Sequence, residues 1–209
     1  MSEARAYPPD QLAPWAELVP DASTMTVDEL LALPDDGWRY ELVEGRLVRM
    51  PPSGFRASRI AMRLGGRLMV FVETCQLGAV TAPDGAYDLS APGQAPTKGT
   101  GLAPDVAFIR ADRLPPHVAF DEDKAVPFAP DLAVEVASPN QYRPGMATKA
   151  KRYLAAGTRM VWIVWPKRRQ VDVWRAGDVR PSTTLGITDT LDGLDVVPGF
   201  TYPVADLFK

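Results

Sequence analysis

Residues 130–139 read PDLAVEVASP. Leu132, Val134 and Val136 alternate in a β-rich run, which predicts a short strand with one face on an apolar core. The other face carries Asp131, Ala133, Glu135 and Ala137, so a carboxylate falls among small apolar neighbours. An ionised group there costs several kcal/mol unless it is protonated, paired or bound to a cation. The strand therefore has an apolar side and a side with chemistry to explain.

The stretch upstream repeats the pattern. In LAPDVAFIR (102–110), Asp105 shares its face with Ala103, Ala107 and Ile109. Two strands, each with one acid among small residues, are able to bring both carboxylates to one place. Downstream, PGMATKAKRYLAAG (144–157) has the proline start and glycine stop of a helix. At about 100° per residue, Met146, Ala150, Leu154 and Gly157 share one face. Lys149 and Tyr153 flank that face, and Lys151 and Arg152 point away. Asp105, Glu135 and Lys149 at one spot make chemical sense. Two carboxylates supply hard oxygen ligands for Mg²⁺, the ion lowers the pKa of a bound water, and an amine nearby steadies developing negative charge. An inert buried ion pair is the competing reading of the same residues.

The remaining elements surround this centre. TMTVDELLAL (24–33) carries Thr26 and Glu29 at the spacing of a capping box, for a helix that stops before Pro34. RYELVEGRLVRM (39–50) reads as a hairpin turning at Glu44-Gly45. From Arg56 to about Cys75 the period is helical, with Ile60, Leu64, Leu68 and Phe71 on one side. Residues 78–90 return to strand, 111–129 read as a loop, and RMVWIVWP (159–166) and QVDVWRAG (170–177) as two further strands. The tail from Thr183 reads as a short hairpin or an irregular closing segment. This order predicts an α/β (α+β) mixed sheet with a helix on each side, preceded by a helix and a β-hairpin. The division expected is an irregular arm over 1–22 and one domain over 23–209.

Composition removes much other chemistry. The 209-residue chain has one cysteine, Cys75, and one histidine, His117, which excludes an internal disulfide and any zinc centre of several Cys or His ligands. His117 lies in LPPHV, a proline-rich loop. The longest apolar run, MVWIVW, is far too short to span a membrane, and MSEARAYPPDQLAPWAEL has no apolar leader, so a cytoplasmic protein is expected. A net charge of −3 does not announce a nucleic-acid partner, although local charge can override the total. Arg56, Arg59, Arg63 and Arg67 form one stripe on the long helix. The stripe suits a phosphate backbone, although a solvated face or a dimer contact is the more frequent reason for such a stripe.

Taken in order, MTVDELLALPDDGWRYELVEGRLVRMPP, APDVAFI, PDLAVEVASP, KAKRYLAAGTRMVWIVWP and VVPGF resemble the Uma-two family of restriction-endonuclease-like proteins, within the PD-(D/E)XK nuclease superfamily. The resemblance runs from Met25 to Phe208. It implies a restriction-endonuclease-like core, a Mg²⁺- or Mn²⁺-dependent endonuclease acting on DNA, and a homodimer. Asp105 and Glu135 would be the metal ligands. The superfamily lysine two residues after the Glu is replaced here by Ala137, and Lys149 from the following helix takes its place. Glu41, in the hairpin, matches an acidic position near the metal. Many members carry a histidine where this chain has Ala57. The alternative is a nuclease-fold protein that no longer cuts and serves as a nucleic-acid-binding or oligomeric module. Glycoside hydrolysis by two carboxylates, needing neither metal nor lysine, is a third class.

Overall fold

The computed structural model describes residues 17–19, 24–50, 52–91, 95, 98–121, 123–138 and 143–209. The strand predicted from PDLAVEVASP is β8 (Leu132–Val136), and every one of its five residues is buried. It is a central strand of a six-stranded sheet. β7 (Val106–Arg110) pairs with it antiparallel on one side, and β9 (Met160–Trp165) pairs parallel on the other. β4 (Gly78–Thr81) lies outside β7, and β10 (Gln170–Arg175) and β11 (Thr183–Leu185) continue beyond β9. A parallel step needs a crossover, and α3 (Arg143–Ala155) supplies it between β8 and β9.

Two helices cover opposite faces of this sheet. α2 (Phe55–Thr74) buries Ile60, Leu64, Leu68 and Val72 against Val106, Leu132, Val134 and Trp162. α3 buries Met146, Ala150 and Tyr153 against Ala133, Ala137 and Ile163 on the other face. Because successive residues of a strand point to opposite sides, the large aliphatic residues of β8 face α2. The small ones and Glu135 face α3. α3 ends in a glycine cap: Gly157 has φ 106°, and the Thr158 amide donates to the Tyr153 carbonyl at 3.0 Å. Its buried edge is rotated from the expected one, since Tyr153 is fully covered and Leu154 only half so.

A second sheet holds β2 (Arg39–Val43) and β3 (Arg46–Met50), the predicted hairpin, with Glu44 (φ 51°) and Gly45 (φ 75°) at its turn. β5 (Tyr87–Asp88) and β6 (Gly101–Leu102) extend this sheet beyond β2. β1 (Glu17–Leu18) pairs with β3, so this part of the stretch expected to be an irregular arm is a strand. Residues 1–16 and 20–22 of that stretch lie outside the described residues. α1 (Val27–Leu31) has the expected capping box, with the Glu29 amide donating to Thr26 Oγ1 at 3.2 Å and the Thr26 amide to Glu29 Oε2 at 2.7 Å. The tail forms a hairpin, β12 (Thr190–Asp192) with β13 (Thr201–Pro203), followed by α4 (Val204–Leu207). Among the described residues no helix is long and apolar enough to cross a membrane.

Candidate active site

Four elements converge on the α3 side of the central sheet: β7, β8, α3 and, from the second sheet, β2. β7 and β8 pair Val106 with Val134 and Ala107 with Ala133. Continuing that register by one step sets Asp105 directly across from Glu135. Asp105 itself precedes the first residue of β7, and its Oδ2 accepts the Val136 amide at 2.7 Å. Both acids lie on the face shared with Ala107, Ala133 and Ala137, as the alternation of each strand requires. The small residues leave room for carboxylates beneath a helix.

From α3, Lys149 places Nζ 2.8 Å from Glu135 Oε1 and 2.7 Å from Glu41 Oε1. One turn later the Tyr153 hydroxyl donates to Glu135 Oε1 at 2.8 Å. Lys149 and Tyr153 are four residues apart and so lie one above the other on the helix. Lys151 is exposed, as expected. Glu41 arrives from β2, which brings the second sheet to the same point. Arg39, on the same side of β2, lies 3.9 Å from Asp105 Oδ1 and also donates to Ser53 and Asp84. Arg39 is a member of this cluster that the sequence reading did not single out. The signal was present, because Arg39 and Glu41 are two apart on one strand and must share a face.

Burial dominates the electrostatics. The Glu135 side chain is 6% exposed and that of Lys149 15%. Removal from water pushes the Glu135 carboxyl up to about 7, against the pull of the Lys149 ammonium, and the Asp105 and Glu41 charges add to the push. Burial likewise raises Asp105, while the Val136 amide and the Lys149 and Arg39 charges draw it down. For Lys149, burial alone would favour the neutral amine. The carboxylates of Glu135 and Glu41 outweigh it, and the ammonium is held charged above its ordinary range. Burial and the surrounding acids keep the Tyr153 phenol protonated, so it acts as a donor.

The donor chemistry suits a hard divalent cation. Mg²⁺ takes one or two protein carboxylates and keeps several waters, and Asp105 with Glu135 is such a pair, desolvated and short of positive charge. Among the described residues no group of three or more His, Cys, Asp or Glu side chains has metal-holding geometry. Glu41 is drawn to Lys149 instead. A cleft of about 420 Å³, lined by Trp38, Arg39, Glu41, Asp84 and Ala103 among others, adjoins the cluster.

The arginine stripe is not brought to this place. Arg56, Arg59, Arg63 and Arg67 ride on α2, whose buried face packs on the opposite side of the sheet. Arg63 is half-buried and donates to the backbone carbonyls of Asp206 (3.0 Å) and Lys209, which ties α4 to α2. Ala57 is buried in the same apolar cluster under α2. His117 is exposed in the 111–129 loop and Cys75 is exposed beyond the end of α2. Asp131, the other acid of the opening stretch, is committed to structure: it accepts the Arg110 amide and pairs with Arg113 at 3.0 Å.

A model of the Uma2 family, described as "Putative restriction endonuclease", matches residues 27–205. Among solved structures, a protein from Anabaena variabilis described as "a putative nuclease belonging to DUF820" shares the fold. Its TM-score is 0.69 at 20% identity, over 88% of this chain and 97% of that one. No curated protein matches the chain.

Proposed function

Since this chain belongs to the Uma2 family and has the fold of a nuclease-like protein, we propose that it is a cytoplasmic, metal-dependent endonuclease that hydrolyses DNA phosphodiester bonds. The observation that carries this reading is the Lys149 ammonium seated on Glu135, with Asp105 across the strand pair from that same glutamate. Asp105 and Glu135 would hold Mg²⁺ or Mn²⁺, which when bound supplies charge for the phosphoryl oxygens and a lowered pKa for its water. The Lys149 ammonium would donate a hydrogen bond to the attacking water or to the charge that develops on the phosphoryl oxygens. Tyr153 fixes the rotamer of Glu135, and Glu41 fixes Lys149. Arg39 offers a second positive charge on the cleft side of Asp105. As a homodimer the protein would present two such centres, one for each strand of a duplex.

The test is cleavage of supercoiled plasmid and linear duplex DNA with Mg²⁺, with Mn²⁺ and with chelator. Glu135→Gln, Asp105→Asn and Lys149→Ala are each expected to lower the metal-dependent rate by about 100-fold or more, in proteins whose circular dichroism is unchanged. Full activity in any one of these folded variants removes that residue from the mechanism.

One observation favours a second reading. Lys149 is already held between Glu41 and Glu135 from within the chain, an internal ion pair of the kind that a non-cutting nuclease-fold module, binding nucleic acid or assembling with partners, would keep. That module gives no product from plasmid, linear or single-stranded DNA with either metal.

A further inference from the structure

The solvent side of α2 is unlike the surface of an isolated helix. Phe55 is 82% exposed, Met62 72% and Val70 60%. At about 100° per residue, these three, with Arg59, Gly66 and Glu73, fall within one sector of about 80°. Gly66 sits at its centre, and a glycine inside a helix is destabilising relative to alanine. The preceding glycine has a reason in the fold, since a Cβ on Gly65 would stand 3.2 Å from Val106. A Cβ on Gly66 would meet nothing within 4 Å, so no contact among the described residues calls for glycine there. A bare backbone flanked by exposed apolar side chains is what a second helix needs in order to approach closely.

We infer that this face is the interface of a homodimer, in which α2 crosses α2 of a second copy antiparallel about a two-fold axis at Gly66. The choice of occupant rests on self-complementarity. An isologous contact pairs each residue with its mirror position along the helix. A dyad at Gly66 therefore sets Met62 against the partner's Val70, and Arg59 against the partner's Glu73. Arg59 and Glu73 are both exposed, and ~21 Å of helix separates them, so they cannot pair within one chain. The apolar pair meets its apolar counterpart and each charge meets its opposite, without any other protein being required. This reassigns Arg59 from a nucleic-acid contact to a subunit contact. It gives the proposed homodimer its surface and does not depend on the hydrolytic chemistry.

One helix pair buries less than the ~800 Å² per partner of a standard stable interface, so dissociation in the micromolar range is expected. Sedimentation of the full chain from about 1 to 200 µM should show a monomer–dimer equilibrium. Gly66→Arg has room in the monomer, so its melting temperature should not fall, yet its dimer should weaken at least ~10-fold. Arg59→Glu and Glu73→Arg should each weaken the dimer, and the double swap should restore it. A monomer at every concentration overturns the inference, as does a dimer unaffected by Gly66→Arg or a double swap no better than its parts. A monomeric wild type that shifts duplex DNA in gels, with the shift lost on Arg59→Glu, also overturns it and returns the face to nucleic acid. These readouts are masses and mobilities, so a failure here is distinct from a failure to cut.

Discussion

Glu135 sits where a charge is costly because the cluster around it compensates only in part. Its carboxyl, raised by burial from an ordinary 4.5 to about 7, binds a proton more tightly in the folded than in the unfolded chain. Its stabilising contribution is therefore complete below about pH 4.5 and is lost as pH climbs through about 7. Without divalent cations, the melting temperature of the wild type is expected to fall over that window relative to Glu135→Gln. The amide carries no charge to desolvate. Millimolar Mg²⁺ should recover the wild type at pH 8 and leave Glu135→Gln unchanged, which scanning calorimetry reads directly. Parallel melting curves for the two proteins would contradict the desolvation argument. Tyr153 belongs to the same ledger of donors. Its hydroxyl and the Lys149 ammonium both reach Glu135 Oε1, so Tyr153→Phe should cost about 1–3 kcal/mol in urea unfolding.

At the scale of the element, the hairpin and α3 each hold a site residue by means other than the site itself. The β2–β3 turn places two successive residues at positive φ, Glu44 and Gly45. Glycine adopts that conformation without penalty, and most side chains do not. Gly45→Ala is expected to cost about 1 kcal/mol, and slippage of the hairpin would draw Glu41 away from Lys149. Loss of stability should therefore be accompanied by loss of cleavage. α3 buries few of its residues, so its position depends on polar ties at both ends. Arg143 reaches Asp172 at 3.5 Å near the start, and Tyr153 reaches Glu135 near the end. Lys149 lies between these ties and inherits its position from them.

At the scale of the molecule, the central sheet separates two surfaces. The acids and Lys149 occupy its α3 side, and α2 with its arginines covers the other. Arg67→Ala should accordingly change the cleavage rate by less than about threefold. Arg39→Ala, which removes the charge beside Asp105, should lower it by about tenfold or more, a loss of at least ~1.4 kcal/mol in transition-state stabilisation. Equal losses from the two substitutions would mean that substrate wraps from one face to the other. The α3 face needs the second sheet as well, since Glu41 and Arg39 come from β2 and complete a cluster that the central sheet only begins.

Much of this was legible in the linear chain because the signals are local. Alternation in LAVEV and VAFI marks β8 and β7, and strand geometry alone obliges Glu135 and Asp105 to share a side with alanines. Thr26 with Glu29, Glu44 with Gly45, and Gly157 announce a helix start, a turn and a helix end through backbone bonds made within a few residues. The four-residue step from Lys149 to Tyr153 places both on one edge of α3. Tertiary structure decided which edges met. The rotation of α3 that buries Tyr153, the arrival of Arg39 and Glu41 from a separate sheet, and the removal of the arginine stripe to the far face depend on packing between elements distant in sequence. Periodicity encodes which side of an element is apolar, but only the fit of one surface against another determines what that side faces.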